Sequence, residues 1–147
     1  ERVADIREAV AVPVVANGEI WSLADALRCR EVSGCDALML GRGMVADPGL
    51  ALDILAYDTG RNQAGRGLSA ETLGALLRVF WLRVQERVVP KYRAGRVKQW
   101  LHYLRKRYPL AELAYAELRT ENDAQHLMAR LCEIFPAVQA EGMATTV

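Results

Sequence analysis

The chain has no uninterrupted apolar run of about 18 residues, the length a helix needs to span a membrane. It also has no secretory signal pattern near its first residue. The expectation is a cytoplasmic protein with no membrane partner. Cysteine is scarce: Cys29, Cys35 and Cys132 are the only three, and none is spaced as Cys-x-x-Cys. That excludes the common zinc and dithiol patterns. No metal is expected, and the thiols read as buried in a reducing compartment: Cys29 in a helix, Cys35 just before a strand, Cys132 on an apolar helix face. Strand-like runs are equally few. Acid is missing altogether from residues 91–108, which contain no Asp or Glu.

The two apolar runs that do occur carry the organisation of the first third. Pro13 opens Val14-Val15-Ala16, a run without alternation that fits a strand buried on both faces. Asn17-Gly18-Glu19 follows as a polar turn. Ser22 can cap a helix over 23–32, and Gly34 marks its end. The second run, residues 36–40, ends in Gly41-Arg42-Gly43 and leads into another helix. Strand, turn, helix, strand, turn, helix argues for an α/β fold with a parallel sheet. The two turns lie about 24 residues apart, near the length of one βα unit. Such a pair suits the last two strands of a (β/α)8 or TIM barrel, where the final loops often form a phosphate cradle. Glycines admit the anion to the backbone, and an arginine can pair with it. Ordinary turns and a surface ion pair at Arg42 are the alternative.

The rest reads in order. Residues 3–12 predict a helix with Ile6 and Val10 packing on the outside of the barrel. In the helix after Ser22, Ala26, Leu27 and Val32 face the sheet, while Arg28, Arg30 and Glu31 are solvated. Asp47-Pro48 reads as the cap and first residue of a helix running to about Tyr57. Residues 59–68 read as a linker between a barrel portion, 1–58, and a helical bundle, 69–136, with residues 137–147 a disordered tail. The fold class is thus α/β followed by all-α. In the bundle, Ser69 caps a helix with Leu73, Leu76, Leu77, Phe80, Trp81 and Val84 as its core, stopped at Pro90. Residues 91–108 form a second helix, buried through Val97, Trp100, Leu101 and Leu104. Arg93, Arg96, Lys98, Arg105, Lys106 and Arg107 occupy its remaining surface, with His102 a surface histidine. Pro109 starts a third helix. Thr120 with Asp123 resembles a capping box for the last, whose apolar face is Leu127, Leu131 and Ile134.

Charge divides the same way. Residues 1–60 hold 5 basic and 10 acidic side chains, and residues 69–119 hold 11 basic and 4 acidic. The net charge of +1 conceals an acidic half and a basic half, and the basic half suggests a polyanion partner. The alternative for residues 91–108 is a merely solvated face.

VPVVANGEI, GCDALMLGRGMVADPGL and GRVKQWLHYLRKRY together resemble the tRNA-dihydrouridine synthases, with the bacterial subgroup C pattern nearest, over roughly residues 1–135. The resemblance implies the end of a flavin-binding TIM barrel followed by a tRNA-binding helical domain. It assigns Asn17, Gly18, Glu19, Gly41 and Arg42 to the FMN site, and Arg96, Lys98, Tyr103 and Arg119 to tRNA contact. Tyr103 is alternatively half-buried. The implied activity is reduction of a tRNA D-loop uridine, position 16, to dihydrouridine, with NADPH as reductant and a monomeric parent protein. The family's catalytic cysteine lies earlier in the barrel, and none of the three cysteines here matches it. A whole barrel needs about 250 residues, so the expectation is a C-terminal portion, inactive by itself. Two other readings remain: a non-catalytic tRNA-binding module with a passive barrel remnant, and a different FMN barrel oxidoreductase.

Overall fold

Two backbone hydrogen bonds join the two apolar runs. Ala16 N–H donates to the Ala37 carbonyl at 3.0 Å, and Met39 N–H donates to the Ala16 carbonyl at 2.8 Å. That is the signature of a parallel pair, Ala16 with Leu38. The computed structural model describes residues 2–61 and 65–135. The chain divides into two units, Glu1–Leu68 and Ser69–Val147.

In the first unit the pairing is parallel, as the alternation of elements implies. It stays a single bridge, and among the described residues no longer strand forms. Among the described residues each run pairs with the other alone. Val15 and Met39 remain half exposed rather than buried on both faces. Four helices surround the bridge: α1 (Arg2–Ala9), α2 (Leu23–Ser33), α3 (Arg42–Ala46) and α4 (Leu50–Asp58). α1 is shorter than the predicted 3–12, and Ile6 and Val10 are exposed instead of packed. The Ser22 hydroxyl oxygen accepts from Asp25 N–H, and Gly34 closes α2 in the left-handed region at φ 66°. The core is Ile20, Ala26, Leu50 and Ile54, with Leu23, Cys29, Leu38, Leu40 and Met44 packed against it.

Three expectations for this unit change. Val32 is exposed, not turned toward the sheet. Arg30 is not simply solvated: its guanidinium makes a two-pronged pair with Asp58 at 2.7 and 2.9 Å and donates to the Asp36 carbonyl at 3.0 Å. It thereby ties α2 to the end of α4. Asp47 does not cap a helix starting at Pro48. Its buried carboxylate accepts from Gly49 N–H at 3.0 Å, and α4 begins at Leu50.

Gly43 has a further constraint. A Cβ built there would lie 2.0 Å from the Ile20 carbonyl oxygen, closer than any real contact allows. The second turn therefore lies directly on the backbone that follows the first.

Among the described residues the second unit has four helices: α5 (Ala70–Arg87), α6 (Pro90–Leu104), α7 (Pro109–Leu118) and α8 (Ala124–Ile134). α6 packs against each of the other three. Leu73, Leu77 and Val84 of α5 are buried, with Ala94, Val97, Leu101 and Leu104 of α6, Ala111, Ala114 and Leu118 of α7, and Leu127, Met128 and Leu131 of α8. Ser69 caps α5 by accepting from Thr72 N–H. Pro90 and Pro109 open α6 and α7, where a missing N–H costs nothing.

α6 ends at Leu104, short of the predicted 108, and Tyr108 folds back into the core. The cap of α8 is Asp123 rather than Thr120: its carboxylate accepts from Gln125 and His126 N–H at 2.9 and 2.8 Å. Glu121 meanwhile accepts from the Asn122 and Asp123 amides. Of the cysteines, Cys35 is buried, Cys29 partly so, and Cys132 is exposed, contrary to its predicted place on an apolar face. The predicted tail, 137–147, lies outside the described residues.

Replacing Gly43 with alanine should lower the stability of the first unit by about 1–3 kcal/mol, the usual cost of forcing an atom into filled space. Urea denaturation of Gly43→Ala against the parent chain measures this, and an unchanged midpoint would show that the turn yields freely.

Candidate functional site

The parallel bridge fixes where the two turns end up. Parallel partners run in the same direction, so the segments after Ala16 and Leu38 leave at the same edge. Asn17 and Glu19 from one turn, with Gly41 and Arg42 from the other, line one cleft of about 210 Å³. Ile20, Trp21 and Gly43 complete its wall. Gly18 lines a neighbouring cleft of about 390 Å³, with Ala16, Asp25 and Arg28 among others.

Side chains in the first cleft are already engaged with one another. Arg42 pairs with Glu19 Oε1, and its guanidinium carbon lies 5.5 Å from the Trp21 ring centroid. The Trp21 indole N–H donates to the other oxygen, Glu19 Oε2, at 2.8 Å. Among the described residues Glu19 is the one non-glycine residue with positive φ, 45°. The left-handed region costs an L residue roughly 1–2 kcal/mol. The indole hydrogen bond first, then the Arg42 charge, hold the Glu19 carboxyl below its ordinary value. Arg42 is therefore not a bare cation awaiting an anion, and Trp21 is a member of the site that the sequence reading did not include. Only its adjacency to the turn signals it. Asn17 makes a long contact, 3.8 Å, from its amide to Met39 Sδ.

These residues suit a phosphate group in two respects. Nothing lies within 4 Å of a Cβ built at Gly18 or Gly41, so both turns leave room at the backbone. Arg42 supplies the guanidinium.

The second candidate surface is α6. At 3.6 residues per turn, positions 92, 96, 99 and 103 fall on one face, opposite the buried Val97, Leu101 and Leu104. Tyr92, Arg96 and Gln99 are exposed there, and Tyr103 is half-buried. Arg96 donates to Gln99 Oε1 at 3.1 Å. The Lys106 ammonium lies 5.6 Å from the Tyr103 ring centroid. Arg96 and Tyr103 thus share a face. Tyr92 and Gln99 were missed, although their spacing of 4, 7 and 11 residues along the face could have found them.

Other cations of the run do different work. Lys98 sits on the flank of the helix, and its ammonium donates to the Glu121 carbonyl at 2.8 Å and Asn122 Oδ1 at 3.2 Å. It anchors the loop before α8. Arg93, expected on the surface, is partly buried and donates to the Val88 and Gln85 carbonyls at the end of α5. Arg105 faces Glu112 of α7 at 3.7 Å and covers the Tyr115 ring. Acid missing from the run in sequence is in part supplied in space. Arg119 is exposed at the C-terminal end of α7. Among the described residues no group of His, Cys, Asp or Glu could hold a metal ion, and no helix is long and apolar enough to cross a membrane.

The family model described as dihydrouridine synthase (Dus) matches residues 1–79. A tRNA-dihydrouridine(16) synthase of Pseudomonas putida is 47% identical over 127 residues, covering 86% of this chain and 39% of the relative. One from Aquipseudomonas alcaligenes is 46% identical over 127 residues, 86% of this chain and 40% of the relative. The namesake from Escherichia coli (strain K12) is 35% identical over 124 residues, 84% and 37%. The chain spans about two fifths of the length of the curated relatives it matches.

The Glu19 cluster has a pH dependence of definite sign. A carboxyl depressed in the folded state stabilises above its unfolded pKa, about 4.3, and loses that contribution as pH falls through the lower folded value. Trp21→Phe removes the first cause of the depression. The Glu19 side-chain carbonyl resonance, followed by NMR through acid pH, should then titrate closer to the ordinary value. An unmoved midpoint would assign the depression to Arg42 alone.

Proposed function

The chain belongs to the dihydrouridine synthase family, and from that premise we propose that it is the cofactor-phosphate and tRNA-reading portion of a tRNA-dihydrouridine synthase. The reaction of the parent protein is reduction of a D-loop uridine, at position 16, to 5,6-dihydrouridine. When bound, FMN supplies the hydride, and NADPH is the ultimate reductant. The parent is proposed to be cytoplasmic and monomeric.

In this reading Arg42 and the backbone at Asn17, Glu19 and Gly41 hold the flavin phosphate, with Gly18 contributing from the adjoining cleft. Glu19 orients Arg42, and the closeness of Gly43 to Ile20 keeps the two turns in one cleft. The proton donor to the base is a cysteine outside this chain. None of the three cysteines lines the cleft that holds Arg42, and Cys29 lines the neighbouring one with Gly18. The helical domain expected over 69–136 supplies tRNA affinity through Arg96, Tyr103 and Arg119. Lys98 contributes by holding the loop before α8 as well as by its charge.

The observation that carries the reading is the exposed face of α6. Two tyrosines, an arginine and a glutamine share that face on a helix segment with no acid of its own, which suits a backbone of phosphates interleaved with bases. Filter binding of the 147-residue chain to tRNA at two salt concentrations tests it. Binding should weaken with salt, and Arg96→Ala should lower the slope of log affinity against log salt by about 1. Lys98→Ala should in addition destabilise the second unit by about 1 kcal/mol through its lost hydrogen bonds. A folded chain that leaves tRNA unbound would overturn the proposal.

The flavin half is tested in a protein carrying the whole barrel. Arg42→Ala there should cut FMN affinity by about tenfold, the loss of one charge-assisted contact, and leave riboflavin affinity unchanged. Equal losses for both flavins would remove Arg42 from the phosphate site.

A further inference from the structure

Glycine in the middle of a helix needs a reason. Gly95 is the sixth residue of α6, where alanine would be more favourable by about 0.5–1 kcal/mol. No packing demands it: nothing lies within 4 Å of a Cβ built there. Its φ is not in the left-handed region either. Gly95 instead forms the floor of an exposed cleft of about 260 Å³ whose other walls are Tyr92, Arg96 and Gln99.

Each wall has a distinct chemistry. Tyr92 is 56% exposed, so its ring is accessible to a partner from solution. The Lys91 ammonium lies 4.8 Å from its centroid, adding a positive charge beside the ring. Gly95, three residues on, places no side chain beside the ring. Arg96 is held by Gln99 Oε1, so the Gln99 carbonyl is used and its NH2 group is the donor that remains. The segment has no acid of its own to repel a phosphate.

An aromatic face, a gap beside it, a flat guanidinium and an amide donor are the elements that seat one unpaired nucleobase. We infer that the Gly95 notch is a nucleotide seat: one unstacked base of tRNA rests on Tyr92 over Gly95, with Arg96 at the adjoining phosphate and the Gln99 NH2 group at the base edge. The inference rests on the tRNA-binding reading above and adds to it a base-specific contact, separate from charge neutralisation.

Gly95→Leu tests it, because leucine is a good helix former and would enter open space. The variant should melt higher than the parent chain by roughly 4 °C. Its tRNA affinity should fall about tenfold, the loss of one stacked base, with the salt slope unchanged, since no charge is removed. Heparin, a polyanion without bases, should bind parent and variant alike. Tyr92→Leu should reproduce the loss and Tyr92→Phe restore it. Unaltered tRNA affinity in Gly95→Leu, in a setting where the parent chain binds tRNA, would overturn the notch alone. Parallel losses for tRNA and heparin would reduce it to a general anion face. A parent chain that fails to bind tRNA would overturn the tRNA reading and the seat with it.

Discussion

One backbone crossing governs the first unit. Ala16 pairs with Ala37 and Met39, and a few residues later Gly43 passes so close to the Ile20 carbonyl that no side chain fits between. Both contacts join the same two segments, and neither depends on side-chain identity beyond the missing Cβ. Their consequence is geometric. A parallel pair delivers both following turns to one edge, whereas an antiparallel pair would separate them by the length of the runs. The meeting of Glu19 with Arg42, 23 residues on, follows from that direction of pairing. Apolar packing of Ile20, Leu50 and Ile54 secures the arrangement but does not select it.

The second unit depends on the angular position of residues around α6. Nine of its positions from 91 onward are polar, basic or aromatic, yet their fates differ by where they sit. Val97, Leu101 and Leu104 face inward and meet three helices. Arg93 and Lys98 occupy the borders of that stripe, within reach of carbonyls left open at the end of α5 and before α8. At the end of α5 such carbonyls are unsatisfied by the helix itself and a cation is a natural partner for them, while Lys98 supplies a donor to a loop carbonyl. Among the described residues, Tyr92, Arg96 and Gln99 on the arc opposite the core make no such hydrogen bond to a neighbouring helix. A count of charge along the sequence treats all these cations alike.

That contrast explains what the sequence could disclose. Local signals read true: Ser22 and Ser69 as caps, Gly34 as a left-handed stop, Pro109 as a first helical residue. Each depends on a few neighbouring residues. The errors come where a partner is distant or a competitor is near. Asp47 and Thr120 looked like caps, but Gly49 and Asp123 offered better local geometry. Cys132 follows the apolar Leu131 yet points away from the stripe formed by Leu127, Met128 and Leu131. The runs 14–16 and 36–40 suggested buried strands, but burial needs neighbours on both sides. Among the described residues each pairs with one, and Val15 and Met39 stay exposed. The residues of the cleft were legible as types. Their engagement was legible only as the alternative of a surface ion pair at Arg42, and its partner, Glu19, is brought there by the fold.

The engagement of Glu19 alters how the cleft would treat an anion. With Glu19 ionised and paired to Arg42, the two side chains sum to no net charge at neutral pH. Attraction of a phosphate by field alone is correspondingly weak, and solvent exposure of both groups screens it further. What distinguishes the site is shape. Two turns with room at Gly18 and Gly41 present backbone directly, and a guanidinium is fixed by a carboxylate on one edge and an indole face on another. A fixed guanidinium gives up less side-chain freedom when it adds a further partner than a mobile one does. Glu19, which at first sight is the wrong charge for an anion site, is on this argument what makes Arg42 directional. Its left-handed backbone is the strain accepted to put the carboxylate there.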